Sequence, residues 1–227
     1  IIVNSNLLLI AKGDKYIDIL IKNYKSIPNN YNLIIYTSNV ARVKFTIKTA
    51  DVREYSHDVF RYFDKVSLTY DLTEEKNKPI LYLDVGRIDE ITNITWKLDI
   101  NNIKDIHHMG HWGKIKTAFD LKTHESEYFE KSYWDNILSY MSNDIDLKKI
   151  PTILERMFVL PYNKKMKDFI IEFEKLRPLF EHTSVTKKNV YSGIGNGEGL
   201  AFGYSAIKTN TPMIPLSTST KIKTTII

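Results

Sequence analysis

The 227-residue chain contains no cysteine, which excludes disulfides, thiolate zinc sites and a cysteine nucleophile. It needs no oxidising compartment, so the cytoplasm is the expected location. No apolar run approaches the ~20 residues that a membrane-spanning helix requires. The opening Ile1-Ile2-Val3 run lacks the basic start of a secretory signal and reads as the lead into a first strand. There is no Gly-x-Ser-x-Gly elbow for a serine nucleophile and no His-Glu-x-x-His zinc pattern. Proline and glycine are sparse, at 7 and 9 residues, and four of the glycines crowd into 189–199.

What is present is enough apolar matter for one good core, 43% of residues, with 12% aromatics and a net charge of +5. The mild excess of cations suits a polyanion or a nucleotide diphosphate as partner. Leu7–Ala11 reads as an apolar strand, Lys12-Gly13-Asp14 as a turn, and Lys15–Ile27 as an amphipathic helix with Asp14 as its N-cap. Leu33–Tyr36 reads as a second strand, which makes a βαβ unit and predicts a parallel sheet. Val43–Ile47 fits a strand or a helix start. Asp58–Phe63 and Asp71–Asn77 read as helices, with Val66–Leu68 returning toward the sheet. Further strands are expected at Ile80–Leu83, Ile94–Leu98, Lys104–His108, Ile153–Leu160 and Met213–Leu216. Further helices are expected at Glu125–Met141, Lys164–Phe180 and Leu200–Lys208.

The segment Lys78-Pro79-Ile80-Leu81-Tyr82-Leu83-Asp84-Val85-Gly86-Arg87 is the most informative. A short apolar run ends in a carboxylate, then glycine, then a guanidinium. A buried strand whose carboxyl end opens on a binding site has this pattern, and ligands of open α/β sheets collect there. Leu81–Gly86 resembles the strand and Asp-x-Asp motif of nucleotide-sugar glycosyltransferases of the GT-A fold, with Gly86 standing at the family's second Asp. The resemblance implies a single α/β domain, GT-A-like and so Rossmann-like, with a mostly parallel twisted sheet flanked by helices. Its nucleotide-binding half would cover 1–90, its acceptor half 91–216, and 217–227 would be a frayed tail.

The same resemblance implies the site. Asp84 would orient the donor sugar or hold Mn²⁺ or Mg²⁺, with Asp89 as a candidate second carboxylate. Arg87 and Lys12 would bind the diphosphate. Gly13, Asp14, Tyr16, Tyr36 and Thr37 would frame the nucleoside. Glu198, behind the glycine-rich stretch, would deprotonate the acceptor hydroxyl or hydrogen-bond the donor sugar, and glycines 195, 197 and 199 would let its loop approach a ligand. His107, His111 and Trp112 would form the acceptor rim. On a strand His107 and His108 face opposite ways, so they cannot both ligate one ion. The acceptor would be a glycan, a protein or a modified nucleic acid, such as a viral DNA base. Two other classes fit the sequence: a catalytically inactive binding or accessory protein on the same scaffold, for which Gly86 argues, and a basic α/β nucleic-acid-binding protein.

Overall fold

A computed structural model describes residues 4–90, 99–112, 114–123, 131–181, 193–195 and 197–216. The strand expected at Ile94–Leu98, the first residues of the helix expected from Glu125 and the tail from Ser217 lie outside the described residues.

The chain begins with β1 (Ser5–Ala11), α1 (Asp14–Asn23), β2 (Tyr31–Thr37), α2 (Val40–Thr46) and β3 (Asp51–Glu54). Next come β4 (Phe60–Arg61), α3 (Asp64–Lys76), β5 (Ile80–Leu83) and a 3₁₀ segment at Val85–Glu90. Then follow β6 (Ile106–His108), α4 (Ala118–Thr123), α5 (Lys131–Ser142), β7 (Met157–Leu160) and α6 (Lys165–Glu181). Last are β8 (Gly193–Ile194), α7 (Glu198–Lys208) and β9 (Met213–Pro215).

Seven strands form one mixed, mostly parallel sheet in the order β3-β2-β1-β5-β7-β6-β9, and β4 pairs with β8 separately. The pairs β1–β2, β1–β5, β2–β3 and β6–β9 are parallel, whereas β7 runs antiparallel to both β5 and β6. All seven residues of β1 are buried. A strand covered on both faces needs a continuous apolar run rather than alternation, which is what Leu7–Ala11 supplies.

Strand parity sorts the core into two layers. Leu7, Leu81 and Val159 face α1 and α2 together with Ile17, Leu20 and Val43. Leu8, Tyr82 and Phe158 face the opposite layer with Phe63, which caps α3, Val66 of α3, Phe169 and Phe173 of α6, and Phe202 of α7. The strand order turns at β1: the chain builds outward to β2 and β3, then crosses to β5 on the other side. The carboxyl ends of β1 and β5 therefore flank a switch point, the usual ligand crevice of open α/β sheets.

Several local expectations change. Val43–Ile47 lies within and just beyond α2, not in a strand. Asp58–Phe63 is not helical: Tyr62 N donates to Ile194 O, pulling Phe60–Arg61 into the small sheet. Val66–Leu68 belongs to α3, which runs unbroken from Asp64 to a left-handed C-cap at Asn77 (φ 51°). Only Met157–Leu160 of the expected Ile153–Leu160 strand pairs with neighbouring strands, because Thr152 N and Ile153 N are taken by Lys116 O and Gly199 O. Asp14 is the first helical residue of α1, and Gly13, at φ 81°, is the N-cap. The short helix α4 had no counterpart in the sequence reading.

Candidate functional site

Asp84 directly follows β5. Its parity is that of Tyr82, whose hydroxyl donates to Asp84 Oδ1 at 2.6 Å. Its backbone N donates to Arg156 O at 2.8 Å, which fixes the strand end against the start of β7. Because β7 is antiparallel, the residues just before it, Glu155 among them, reach the same rim.

The centre of the site is a residue that the sequence reading missed. Lys65, in the first turn of α3, is only 5% exposed. Its Nζ lies 3.4 Å from Asp84 Oδ1 and 3.0 Å from Glu198 Oε1. The Tyr62 and Tyr82 rings flank it, with centroids 5.1 and 5.9 Å from Nζ. Asp64 fixes the start of α3 by accepting from Arg177 Nη1 at 2.7 Å and from the Tyr55 hydroxyl at 2.6 Å. Burial pulls the Lys65 ammonium down, but Asp84 and then Glu198 outweigh it and hold the group well above the ordinary lysine value. No local pattern marks Lys65: its helix face continues through Leu68, Thr69, Leu72 and Thr73, and its partners are distant in sequence.

Glu198 opens α7 and has no exposed surface. Its Oε2 accepts from Gly197 N at 3.1 Å, while Oε1 meets Lys65 as an ion pair and makes no aligned hydrogen bond. The nearby glycines serve packing. A Cβ on Gly199 would stand 2.0 Å from Ile153 O, and one on Gly203 would stand 1.9 Å from Pro151 O. Gly197, at φ 100°, is covered by Trp134. The close approach expected of a ligand at Gly199 is instead the approach of α7 to Pro151–Ile153.

Glu155 is a further carboxylate absent from the sequence reading. It is half-buried, and its Oε2 accepts from Trp112 Nε1 at 3.0 Å. Burial, reinforced by Glu198, pushes its carboxyl up to about 8, with Lys65 pulling the other way. Burial and Glu198 likewise push the Tyr62 and Tyr133 hydroxyls up.

Asp84, Glu198 and Trp112 thus gather around Lys65 and Glu155. The β1 end lies across the switch point. Gly13 N donates to Ser38 Oγ at 3.0 Å, tying the β1 and β2 ends together. Lys12 is half-buried there, and Asp14 is exposed and 3.7 Å from Arg42. Tyr16 is exposed on α1. Thr37 is buried and its Oγ1 accepts from Asn39 N. Tyr36 lies on the α3 face, where the Arg53 guanidinium is 5.8 Å from its ring. Arg87 interrupts the 3₁₀ segment and donates its backbone N to Asp84 O.

His107 pairs with Val159 and so faces the α1 layer, away from Lys65. His111 donates from Nδ1 to Thr152 O at 2.9 Å, one residue from Trp112. Buried His108 is pushed down to about 4. A groove of about 740 Å³ opens at the opposite end of the sheet, lined by Asn6, Tyr31, Asn32 and Lys76. It is remote from this cluster.

A divalent ion, which the Asp-x-Asp resemblance implies, fits these residues poorly. Asp84 Oδ1 already holds the Tyr82 hydroxyl and the Lys65 ammonium, and Asp89 is exposed on the following turn. Among the described residues no three His, Asp or Glu side chains stand together as a metal group. A Cβ at Gly86 would meet nothing within 4 Å, so packing does not keep a second carboxylate out.

No family model matches the chain, and no curated protein matches it. Fold and site together define an α/β protein with a charged, partly enclosed cluster at the carboxyl ends of its parallel strands.

Proposed function

We propose that the protein is a glycosyltransferase that moves a sugar from a nucleotide-sugar donor to an acceptor hydroxyl. The observation that carries this reading is the convergence of Asp84, Lys65 and Glu198 at the β1–β5 switch point, on the strand whose sequence resembles the donor-site strand of GT-A enzymes.

In this reading Asp84 accepts hydrogen bonds from donor-sugar hydroxyls. The diphosphate lies toward Lys12, Arg87 and the exposed amino end of α1, where the helix dipole favours an anion. Tyr16 frames the nucleoside. Glu198 is too deeply buried to touch an acceptor and serves as the partner of Lys65. The acceptor-facing carboxylate is Glu155, half-buried and steered by Trp112. It takes the proton from the acceptor hydroxyl as that oxygen bonds the anomeric carbon. The bond from this carbon to the diphosphate breaks, and the diphosphate leaves with the electron pair. A base with pKa near the working pH suits this task.

The test is a thermal-shift panel of nucleotide sugars, followed by transfer and donor-hydrolysis assays on the best binder. Ligands that bind only the native state raise its melting temperature by mass action. Asp84→Ala, like any loss of a Lys65 partner, should lower stability, and the protein that still folds should lose the donor-induced shift and the turnover. A folded Asp84→Ala protein with full turnover would sink the proposal. The open space beside Gly86 favours a second reading, a non-enzymatic sugar-nucleotide-binding protein. It would show the shift in wild type and no turnover with any acceptor.

A further inference from the structure

We propose that Lys65 is the resident cation of this site, filling the place between Asp84 and Glu198 that a divalent ion would occupy, so that donor binding needs no metal. The inference rests on the transferase reading for its consequence but on geometry for its content.

The ammonium lies 3.4 Å from Asp84 Oδ1 and 3.0 Å from Glu198 Oε1, between carboxylates from two separate elements. An Mg²⁺ ion ligated by both would need each oxygen at about 2.0–2.1 Å, in the space that Nζ fills. The lysine cannot readily leave, since its side chain is 6% exposed and flanked by the Tyr62 and Tyr82 rings. It also stands in the first turn of a 13-residue helix, where the dipole opposes a cation. A charge kept in so unfavourable a position implies strong partners, and the two carboxylates are those partners. Gly86 completes the picture: the second motif carboxylate is absent although space exists for it. Lys65 supplies one positive charge to two carboxylates, and the amino ends of α3 and α7, on which Lys65 and Glu198 stand, add positive potential.

The test needs no nucleotide. Mn²⁺ binding is measured by electron paramagnetic resonance on wild type, Lys65→Ala, Lys65→Gln and Asp84→Asn, with folding checked by circular dichroism. Wild type should show no saturable site that depends on Asp84. Removing the ammonium leaves two facing carboxylates, so a folded Lys65 variant should bind Mn²⁺ at least about ten-fold more tightly than wild type, a change of ~1.4 kcal/mol. Lys65→Gln, which keeps a polar head, stands in if Lys65→Ala does not fold. Two results would overturn the inference: saturable Mn²⁺ binding in wild type that Asp84→Asn removes, or folded Lys65 variants that gain none. Failure of every nucleotide sugar to stabilise wild type would instead count against the transferase reading, because the Mn²⁺ measurement contains no nucleotide.

Discussion

A buried lysine is tolerated only when its charge is matched, and removing one partner of such a pair typically costs ~3–5 kcal/mol. Glu198→Ala should therefore destabilise the protein strongly, whereas an exposed pair such as Arg42–Asp18 contributes little. Glu155 gives a prediction of opposite pH sense to an ordinary paired carboxylate. Its folded-state pKa, about 8, lies above the ordinary glutamate value of 4.5. The folded protein thus holds a proton that the unfolded chain releases. The resulting stabilisation is full below pH 4.5 and is lost as pH rises through about 8. Glu155→Gln should flatten the fall of melting temperature across that window, and an unchanged slope would show that Glu155 does not titrate there. If Glu155 is the base, turnover of wild type should rise through the same window while Glu155→Gln loses roughly 10²–10⁴-fold. Asp84, Glu198 and Trp112 were legible in the sequence because each follows a local signal: a strand end, a glycine-rich stretch, an aromatic beside a turn. Lys65 and Glu155 were not, since their significance comes only from neighbours far away in the chain.

At the scale of elements, period and punctuation located α1, α6, α7, β1, β2 and β5 well, but not the 13-residue α3, whose first turns read as a return toward the sheet. The errors cluster where backbone partners outside the segment decide. Phe60–Arg61 carries helix-like spacing yet is captured by Gly193–Ile194, and Ile153 is lost from β7 because its N–H goes to Gly199 O. Helix α7 shows how an element sets a site. Gly199 and Gly203, one turn apart, let it lie directly on the carbonyls of Ile153 and Pro151, and this contact holds Glu198 against Lys65. Gly203→Ala forces a Cβ to within 1.9 Å of Pro151 O. Overpacking of this kind costs about 1–3 kcal/mol or more. Denaturant unfolding should register that loss, while Ile207→Ala, on the exposed side of the same helix, should change stability by less than about 1 kcal/mol. Equal effects would mean that α7 shifts freely and does not fix the site.

For the molecule as a whole, the sheet order could not be read from sequence. Parallel pairing of β1 with β2 followed from the short βαβ spacing, but the antiparallel insertion of β7 between β5 and β6 depends on long-range packing. Hydrogen exchange should rank the sheet accordingly. Amides of Leu7–Ile10, in a strand paired on both sides, should exchange slowest, and those of the edge strand β3 much faster. Comparable protection at both would contradict the layered core. The distance along the chain between Lys65 and Glu198 has a consequence for synthesis. More than half the chain separates the two. At ordinary translation rates, on the order of ten seconds pass between them. Throughout that interval the amino-terminal strands and α3 can form, yet the lysine has only one of its two carboxylates to face. The nascent chain therefore cannot close its charged centre until α7 has been made, and Lys65 waits for its second carboxylate through the synthesis of every element in between.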